Sequence, residues 1–232
     1  VNRQNAGRTA GPTVAGIVLA AGRSSRMGRS KALLDAGGEP FIARAVTALR
    51  VGGCSPVIAV VPAAAEQEAC AAEAAGAVVA RNPDPGSEQA DSLRLALRML
   101  PGDVIGVLVL PVDHPLVRAA SVAELIRAFA ERRPPVVRPV LAGRPGHPTL
   151  FDRAVLDRGL AGPLPEGARS LVASLGGAVL DLPVEDPGIV ADIDTPEEYR
   201  RHFGRAPSEY VQQTSDSGAA RHERLAHERG AA

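Results

Sequence analysis

VAGIVLAAGRSSRMGRSK, residues 14–31, opens with the run Val14–Leu19, passes through Ala20 and Ala21, and breaks into a segment carrying Gly22, Gly28 and the cations Arg23, Arg26, Arg29 and Lys31. A continuous apolar run, as opposed to an alternating one, reads as a strand buried on both faces, which requires helix layers above and below it. A glycine-rich turn leaving such a strand places unpaired backbone N–H groups at the carboxyl edge of the sheet, where successive donors form an anion-binding nest. Gly22 and Gly28 permit positive φ and close approach of a ligand, and the Arg and Lys side chains concentrate charge that phosphate would match. Two better-known phosphate loops do not fit. The spacing from Gly22 to Gly28 is one residue too long for GxxxxGK[ST], Lys31 does not follow a glycine, and no GxG opens the loop. Physics alone leaves a basic surface turn open beside the phosphate reading.

Working outward, short apolar runs alternate with Ala-, Leu- and Arg-rich segments, the pattern of strands joined by crossover helices. Strands are expected at 14–19, 57–61, 77–80 and 105–110, with helices at 41–51, 63–75, 87–100 and 119–131. The run Ile105–Leu110 is apolar throughout and should be central. After Pro134 the character changes, and residues 135–151 read as strands and loops that elaborate the sheet and cover the site. A last strand near 178–182 precedes Asp192-Ile193-Asp194-Thr195-Pro196-Glu197-Glu198, where Thr195 can cap a closing helix and Pro196 suits its first position. The expected fold is a single Rossmann-like α/β domain over 13–205, three layers deep with a mainly parallel central sheet. Residues 1–12 and 206–232 are expected to be mobile tails, being poor in large apolar groups.

Lys plus Arg and Asp plus Glu both number 26, so no global basic surplus points to nucleic acid, and a small charged ligand in a local site fits better. Cys54 and Cys70 have neither CxxC nor metal-ligand spacing and read as reduced thiols. No stretch has the ~18 to 20 apolar residues of a membrane-spanning helix, and the N-terminus lacks the apolar core of a signal peptide, so a cytoplasmic protein without a membrane partner is expected.

The segment GIVLAAGRSSRMGRSKALL, residues 16–34, resembles the signature of nucleotidyltransferases with a Rossmann-like fold. Within that group LAAG, the turn Arg144-Pro145-Gly146-His147-Pro148 and Gly167-Ala168-Arg169 most resemble molybdenum cofactor cytidylyltransferases and molybdopterin guanylyltransferase-like relatives. The resemblance implies transfer of a nucleoside monophosphate from a nucleoside triphosphate, CTP favoured over GTP, to a phosphorylated acceptor such as molybdenum cofactor, with release of pyrophosphate. A molybdoenzyme would then receive the product. It further implies that Leu19, Ala20, Ala21, Gly22, Arg23, Ser24, Met27 and Gly28 line the nucleotide, with Arg26 and Lys31 neutralising triphosphate oxygens as catalytic residues.

Asp113 follows the central strand and precedes His114-Pro115, which puts a carboxylate where α/β sites gather; the bland alternative is a turn or cap residue. In the family resembled, the matching D-x-P turn holds Mg²⁺, so Asp113 joins the catalytic set. Asp192 and Asp194 lie two apart, so in an extended segment both point to one face, and Asp194 is preferred over Asp192 as the second ligand. Mg²⁺ needs only one or two carboxylates plus phosphate oxygens. His114, His147 and His202 show no spacing that fixes zinc. Asn82, Gly86 and Ser92 lie where relatives contact base or ribose, although Asn-Pro-Asp-Pro-Gly also reads as a plain turn. Arg144, Gly146, His147 and Arg169 are the acceptor-side candidates. Two other classes stay open: an NAD(P)H-dependent oxidoreductase of the same superfamily, disfavoured by the missing GxGxxG, and a non-catalytic protein that binds and delivers molybdenum cofactor.

Overall fold

The computed structural model describes residues 13–21, 30–84, 86–162 and 168–208. Its first strand, β1 (Val14–Leu19), is buried along its whole length. Side chains divide by the two-residue period of a strand: Val14 and Val18 enter one core, while Ala15, Ile17 and Leu19 enter the other. The chain then runs through α1 (Phe41–Val51), β2 (Val57–Pro62), α2 (Glu66–Ala74), β3 (Val78–Asn82), α3 (Gln89–Leu97), β4 (Gly106–Pro111) and α4 (Ala119–Arg132). It continues through β5 (Val136–Leu141), β6 (Arg144–Pro145), β7 (Thr149–Asp152), α5 (Arg153–Leu160), α6 (Ala168–Leu175), β8 (Val179–Pro183) and α7 (Pro196–Phe203).

The strand order is β3-β2-β1-β4-β7-β5-β6, with β8 on β5. Strands β3, β2, β1 and β4 are parallel, β7 is antiparallel between β4 and β5, and β8 is parallel to β5. One core packs Phe41, Leu49, Leu125, Phe129 and Tyr199 of α1, α4 and α7 against the sheet, and the other packs Leu93, Leu97, Leu156, Leu160 and Leu171 of α3, α5 and α6. This is the expected three-layer α/β arrangement. Burying each such side chain contributes about 1.5–3 kcal/mol, well above the ~0–1 kcal/mol of an exposed ion pair. Apolar burial therefore sets the frame that holds the polar site.

Several expectations need adjusting. Residues 135–151 do not simply cover the site: β7 enters the main sheet beside β4, and Thr149, Leu150 and Phe151 are buried there. Helix α2 begins at Glu66 instead of 63 because Pro62 to Ala65 form a turn closed by Ala65 N–H to Pro62 O at 3.1 Å. Helix α3 begins at Gln89, since Ser87 is occupied in the preceding loop. Cys54 is buried, which pushes its thiol up to about 12, and Cys70 is exposed; both are free. Among the described residues, no helix is long and apolar enough to cross a membrane.

The end of the domain closes against its beginning. Tyr199 and Phe203 pack their rings on Phe41, and the Tyr199 hydroxyl donates to Asp35 O at 2.6 Å. Asp35 also accepts from Arg205 at 2.7 Å, and its N–H donates to Ser208 O at 2.9 Å, so the chain stays attached through 208. This closure carries the segment before α7 to the region of Lys31.

Candidate functional site

Connections from β1 lead toward β2 on one side, while β4 lies on its other side, so β1 and β4 flank the switch point of the sheet. In open α/β sheets the crevice for a ligand lies outside the carboxyl ends of strands at this point. Leu19 is in register with Pro111, Val112 N–H donates to Leu19 O at 3.1 Å, and Ala20 N–H donates to Val60 O at 2.9 Å. These bonds fix the start of the glycine-rich segment beside the turn that carries Asp113. Leu19 and Ala20 are buried and Ala21 is half-buried.

Three sequence-derived residues meet here. Lys31 opens a single 3-10 turn, Lys31–Leu33, and its Nζ donates to Asp194 while lying 3.9 Å from Asp113 Oδ2. The side chains of Lys31, Asp113 and Asp194 are 16, 27 and 32% exposed, so all are partly shielded yet reachable from solvent. Asp194 is set by the cap of α7: Glu198 accepts from the N–H groups of Asp194 and Thr195, each at 2.8 Å, and Thr195 Oγ1 accepts from Glu198 N–H at 3.2 Å. That reciprocal capping box follows from the Thr-Pro-Glu-Glu spacing. Ile193 N–H donates to Asp113 O at 2.9 Å, which ties the two acidic segments together. Asp192 is exposed, and of the pair it is Asp194 that reaches Lys31.

Burial by itself would raise the Asp113 carboxyl, but the hydrogen bond and charge of His114, then the charges of Lys31 and His147, outweigh it and hold the group below the usual carboxylate range. Asp113 therefore accepts, and His114 Nδ1 donates to its Oδ1 at 2.9 Å. Behind His114 stands His147 at 4.7 Å between ring centroids, edge to face. Among the described residues, His147 Nδ1 is buried without a hydrogen-bond partner. Burial first, then the charges of His114 and Arg169, lower His147 to about 4 against the opposing pull of Asp113. At neutral pH His147 is thus uncharged, and a cation close enough to act on it is Arg169, exposed on the first turn of α6. His147 N–H donates to Ile189 O at 2.8 Å, and Gly146 sits so close that a Cβ there would lie 2.2 Å from the same carbonyl. Arg144 is exposed on β6.

The base-side candidates serve the loop in this structure. Asn82 Nδ2 donates to Ser87 Oγ at 2.7 Å and Ser92 Oγ at 2.9 Å, and its Oδ1 accepts from Asp84 N–H at 3.0 Å. Gly86 is exposed and donates to Asp84 at 2.7 Å. Gly22, Arg23, Ser24, Arg26, Met27 and Gly28 lie outside the described residues. Two further buried polar side chains are not marked by the sequence motifs. One is His114, for which the sequence offers only a zinc-ligand reading; its position next to Asp113 is the available signal. The other is Asp186, only 2% exposed, which accepts from Arg118 N–H, Ser121 Oγ and Gly188 N–H at 2.9, 2.7 and 2.9 Å. Its signal was the Asp-Pro-Gly turn, a motif in which Asp bonds the backbone two residues on.

A lysine and two carboxylates gathered at the switch point of an α/β sheet mark the crevice where proteins of this architecture bind their ligands. Residues 16–179 match the MobA-like NTP transferase domain. The chain belongs to that family and is a nucleotidyltransferase. It is 34% identical over 195 residues to a 2-C-methyl-D-erythritol 4-phosphate cytidylyltransferase of Frankia casuarinae, covering 81% of this chain and 73% of the relative. A probable molybdenum cofactor guanylyltransferase of Opitutus terrae is 36% identical over 126 residues, 54% of this chain and 60% of the relative. Among solved structures, Rv0371c from Mycobacterium tuberculosis H37Rv superposes with a TM-score of 0.74 at 28% identity, covering 84% of this chain and all of that one. The same protein in complex with manganese gives a TM-score of 0.68 at 26% identity, with 84% of this chain and all of that one covered.

Proposed function

We propose that the chain moves CMP from CTP, in preference to GMP from GTP, onto a phosphorylated acceptor in the cytoplasm, with molybdenum cofactor the first acceptor to test. The observation that carries the proposal is the convergence of Asp113 and Asp194 on Lys31 at the switch point. In the reaction an acceptor phosphate oxygen attacks the α-phosphorus, a new P–O bond forms in line with the bond that breaks, and pyrophosphate leaves. A phosphate monoester is already nucleophilic near neutral pH, so no general base is needed. The protein aligns the reactants and offsets charge that grows on the bridging oxygens.

Lys31 is the cation placed to do so, helped by Arg26 from the glycine-rich segment. Asp113 and Asp194 would hold Mg²⁺: both are oxygen donors, both are partly exposed, and Asp113 is kept ionised by its neighbours. When bound, that ion supplies charge neutralisation at the triphosphate; the manganese complex of the structural relative supports a divalent site in this family. Arg169 is the acceptor-side cation for the acceptor phosphate, with Gly146 and His147 shaping the wall beside it. The domain proposed to act is 13–205, and a molybdoenzyme would take up the product.

Thermal-shift measurements with each of the four nucleoside triphosphates and Mg²⁺, followed by pyrophosphate release with and without molybdenum cofactor, test the reading. Stabilisation by CTP above GTP is expected, because a ligand that binds only the native state raises its melting temperature. Release of pyrophosphate should require the acceptor and be lost in Asp113→Asn. Unchanged release in that variant would sink the proposal.

A further inference from the structure

We infer that His114 is a positioning residue: its Nδ1–H clamps Oδ1 of Asp113 so that Oδ2 alone is presented to Lys31 and to a divalent cation, and His147 from the acceptor-side turn holds the His114 ring in place. The inference rests on the metal-assisted reading above and adds a residue to it. A free carboxylate rotates and offers either oxygen, whereas this one has its two oxygens assigned to different partners: Oδ1 lies 2.9 Å from His114 Nδ1, and Oδ2 lies 3.9 Å from Lys31 Nζ.

The clamp is itself held from behind. His114 is 8% exposed, and its N–H donates to Pro111 O at 3.2 Å, fixing the turn after β4. The His147 ring stands edge to face against it at 4.7 Å. His147 cannot retreat easily, because its N–H is bonded to Ile189 O and Gly146 leaves no room for even a Cβ against that carbonyl. The turn 144–148 is where Gly146 and His147 shape the acceptor wall, so the edge-to-face pair joins the acceptor side of the crevice to the carboxylate on the donor side. Hydrogen bonds that orient a ligating group from behind are worth about 10–100-fold in metal affinity or activity when removed.

The test uses the full chain and Mn²⁺ as the probe. Free Mn²⁺ is followed by its electron paramagnetic resonance signal in the presence of CTP, together with pyrophosphate release, for wild type, His114→Leu, His114→Asn and His147→Leu. His114→Leu keeps bulk and removes the donor, and it should weaken Mn²⁺ binding by about 10–100-fold with a parallel loss of turnover. His114→Asn places an amide N–H near the position of Nδ1 and should restore most of both. His147→Leu leaves the donor but removes its backing and should fall between wild type and His114→Leu. Nitrogen-15 spectra of the wild-type histidines supply a readout that needs no variant: His114 should carry its proton on Nδ1. Wild-type metal affinity in His114→Leu, or a His114 protonated only at Nε2, would overturn the clamp while leaving the transferase reading intact. A wild-type protein that neither releases pyrophosphate nor binds Mn²⁺ with nucleotide overturns both.

Discussion

Exchanging Lys31 for methionine, which keeps the length of the side chain and removes its charge, should drive metal binding and turnover in opposite directions. In the nucleotide-free protein the Lys31 ammonium acts as counter-ion to both carboxylates, bonded to Asp194 and 3.9 Å from Asp113 Oδ2. At about 4 Å a pair of unit charges interacts by roughly 4 kcal/mol at an effective dielectric of ~20, and the partial exposure of all three side chains reduces that to at most about 1 kcal/mol for each pair, roughly 1–2 kcal/mol for the two together. A divalent cation that enters between the same carboxylates must compete with the ammonium. Its removal should therefore tighten binding of free Mn²⁺ by about tenfold or more, at 1.4 kcal/mol per factor of ten. Turnover should fall by about 10²–10³, the usual cost of removing one donor that stabilises transition-state charge. Titration of Mn²⁺ without nucleotide reads the first effect, and pyrophosphate release at saturating nucleotide reads the second. Unchanged or weaker Mn²⁺ binding in a Lys31→Met protein of normal melting temperature would refute the counter-ion reasoning, whatever happens to turnover.

Other consequences concern stability. His147 is held at about 4 against an ordinary 6.5, so the folded protein binds fewer protons than the unfolded chain between those values. Its contribution is complete above about pH 6.5, declines as pH falls toward 4, and amounts to at most about 3 kcal/mol. Urea unfolding at pH 7.5 and 4.5 should show a larger loss for wild type than for His147→Gln; equal losses would contradict the assignment. Gly146→Ala drives a Cβ to 2.2 Å from Ile189 O, backbone against backbone, and should cost about 1–3 kcal/mol in equilibrium unfolding. Asp186→Ala strips the acceptor from three donors in a buried site and should cost about 3 kcal/mol, with Asp186→Asn milder, measured by the shift in urea midpoint.

What the sequence revealed follows from the range of the forces involved. The bounds of β1 and α1 are legible to the residue because an unbroken apolar run and an amphipathic repeat are local signals, and the cap of α7 is written in Thr195-Pro196-Glu197-Glu198. Helices α5 and α6 are not legible: α5 is eight residues long with Gly159 inside it, and α6 follows a segment rich in Pro and Gly. The insertion of β7 between β4 and β5 depends on pairing between distant strands, for which four residues carry no local mark. In the site, the spacing of Asp192 and Asp194 places both on one face of an extended segment, but contacts between distant parts of the chain, Ile193 N–H to Asp113 O and Tyr199 on Phe41, bring Asp194 to Lys31. The contact of His147 with His114 joins residues that the chain separates by a helix and two strands, so no spacing rule exposes it. Asn82 and Ser92 illustrate the converse, since the same amide and hydroxyl that could read a base are satisfied by each other.

The proposed transferase directs attack at the α-phosphorus of a nucleoside triphosphate. The most direct measurement follows CTP labelled at the α-phosphate, incubated with the protein, Mg²⁺ and molybdenum cofactor, and compares wild type with Asp113→Asn. The label should move into the acceptor with one pyrophosphate released per transfer, and the asparagine variant should lose this. Label that stays in CDP with release of orthophosphate, or transfer that survives in Asp113→Asn, would contradict the proposal.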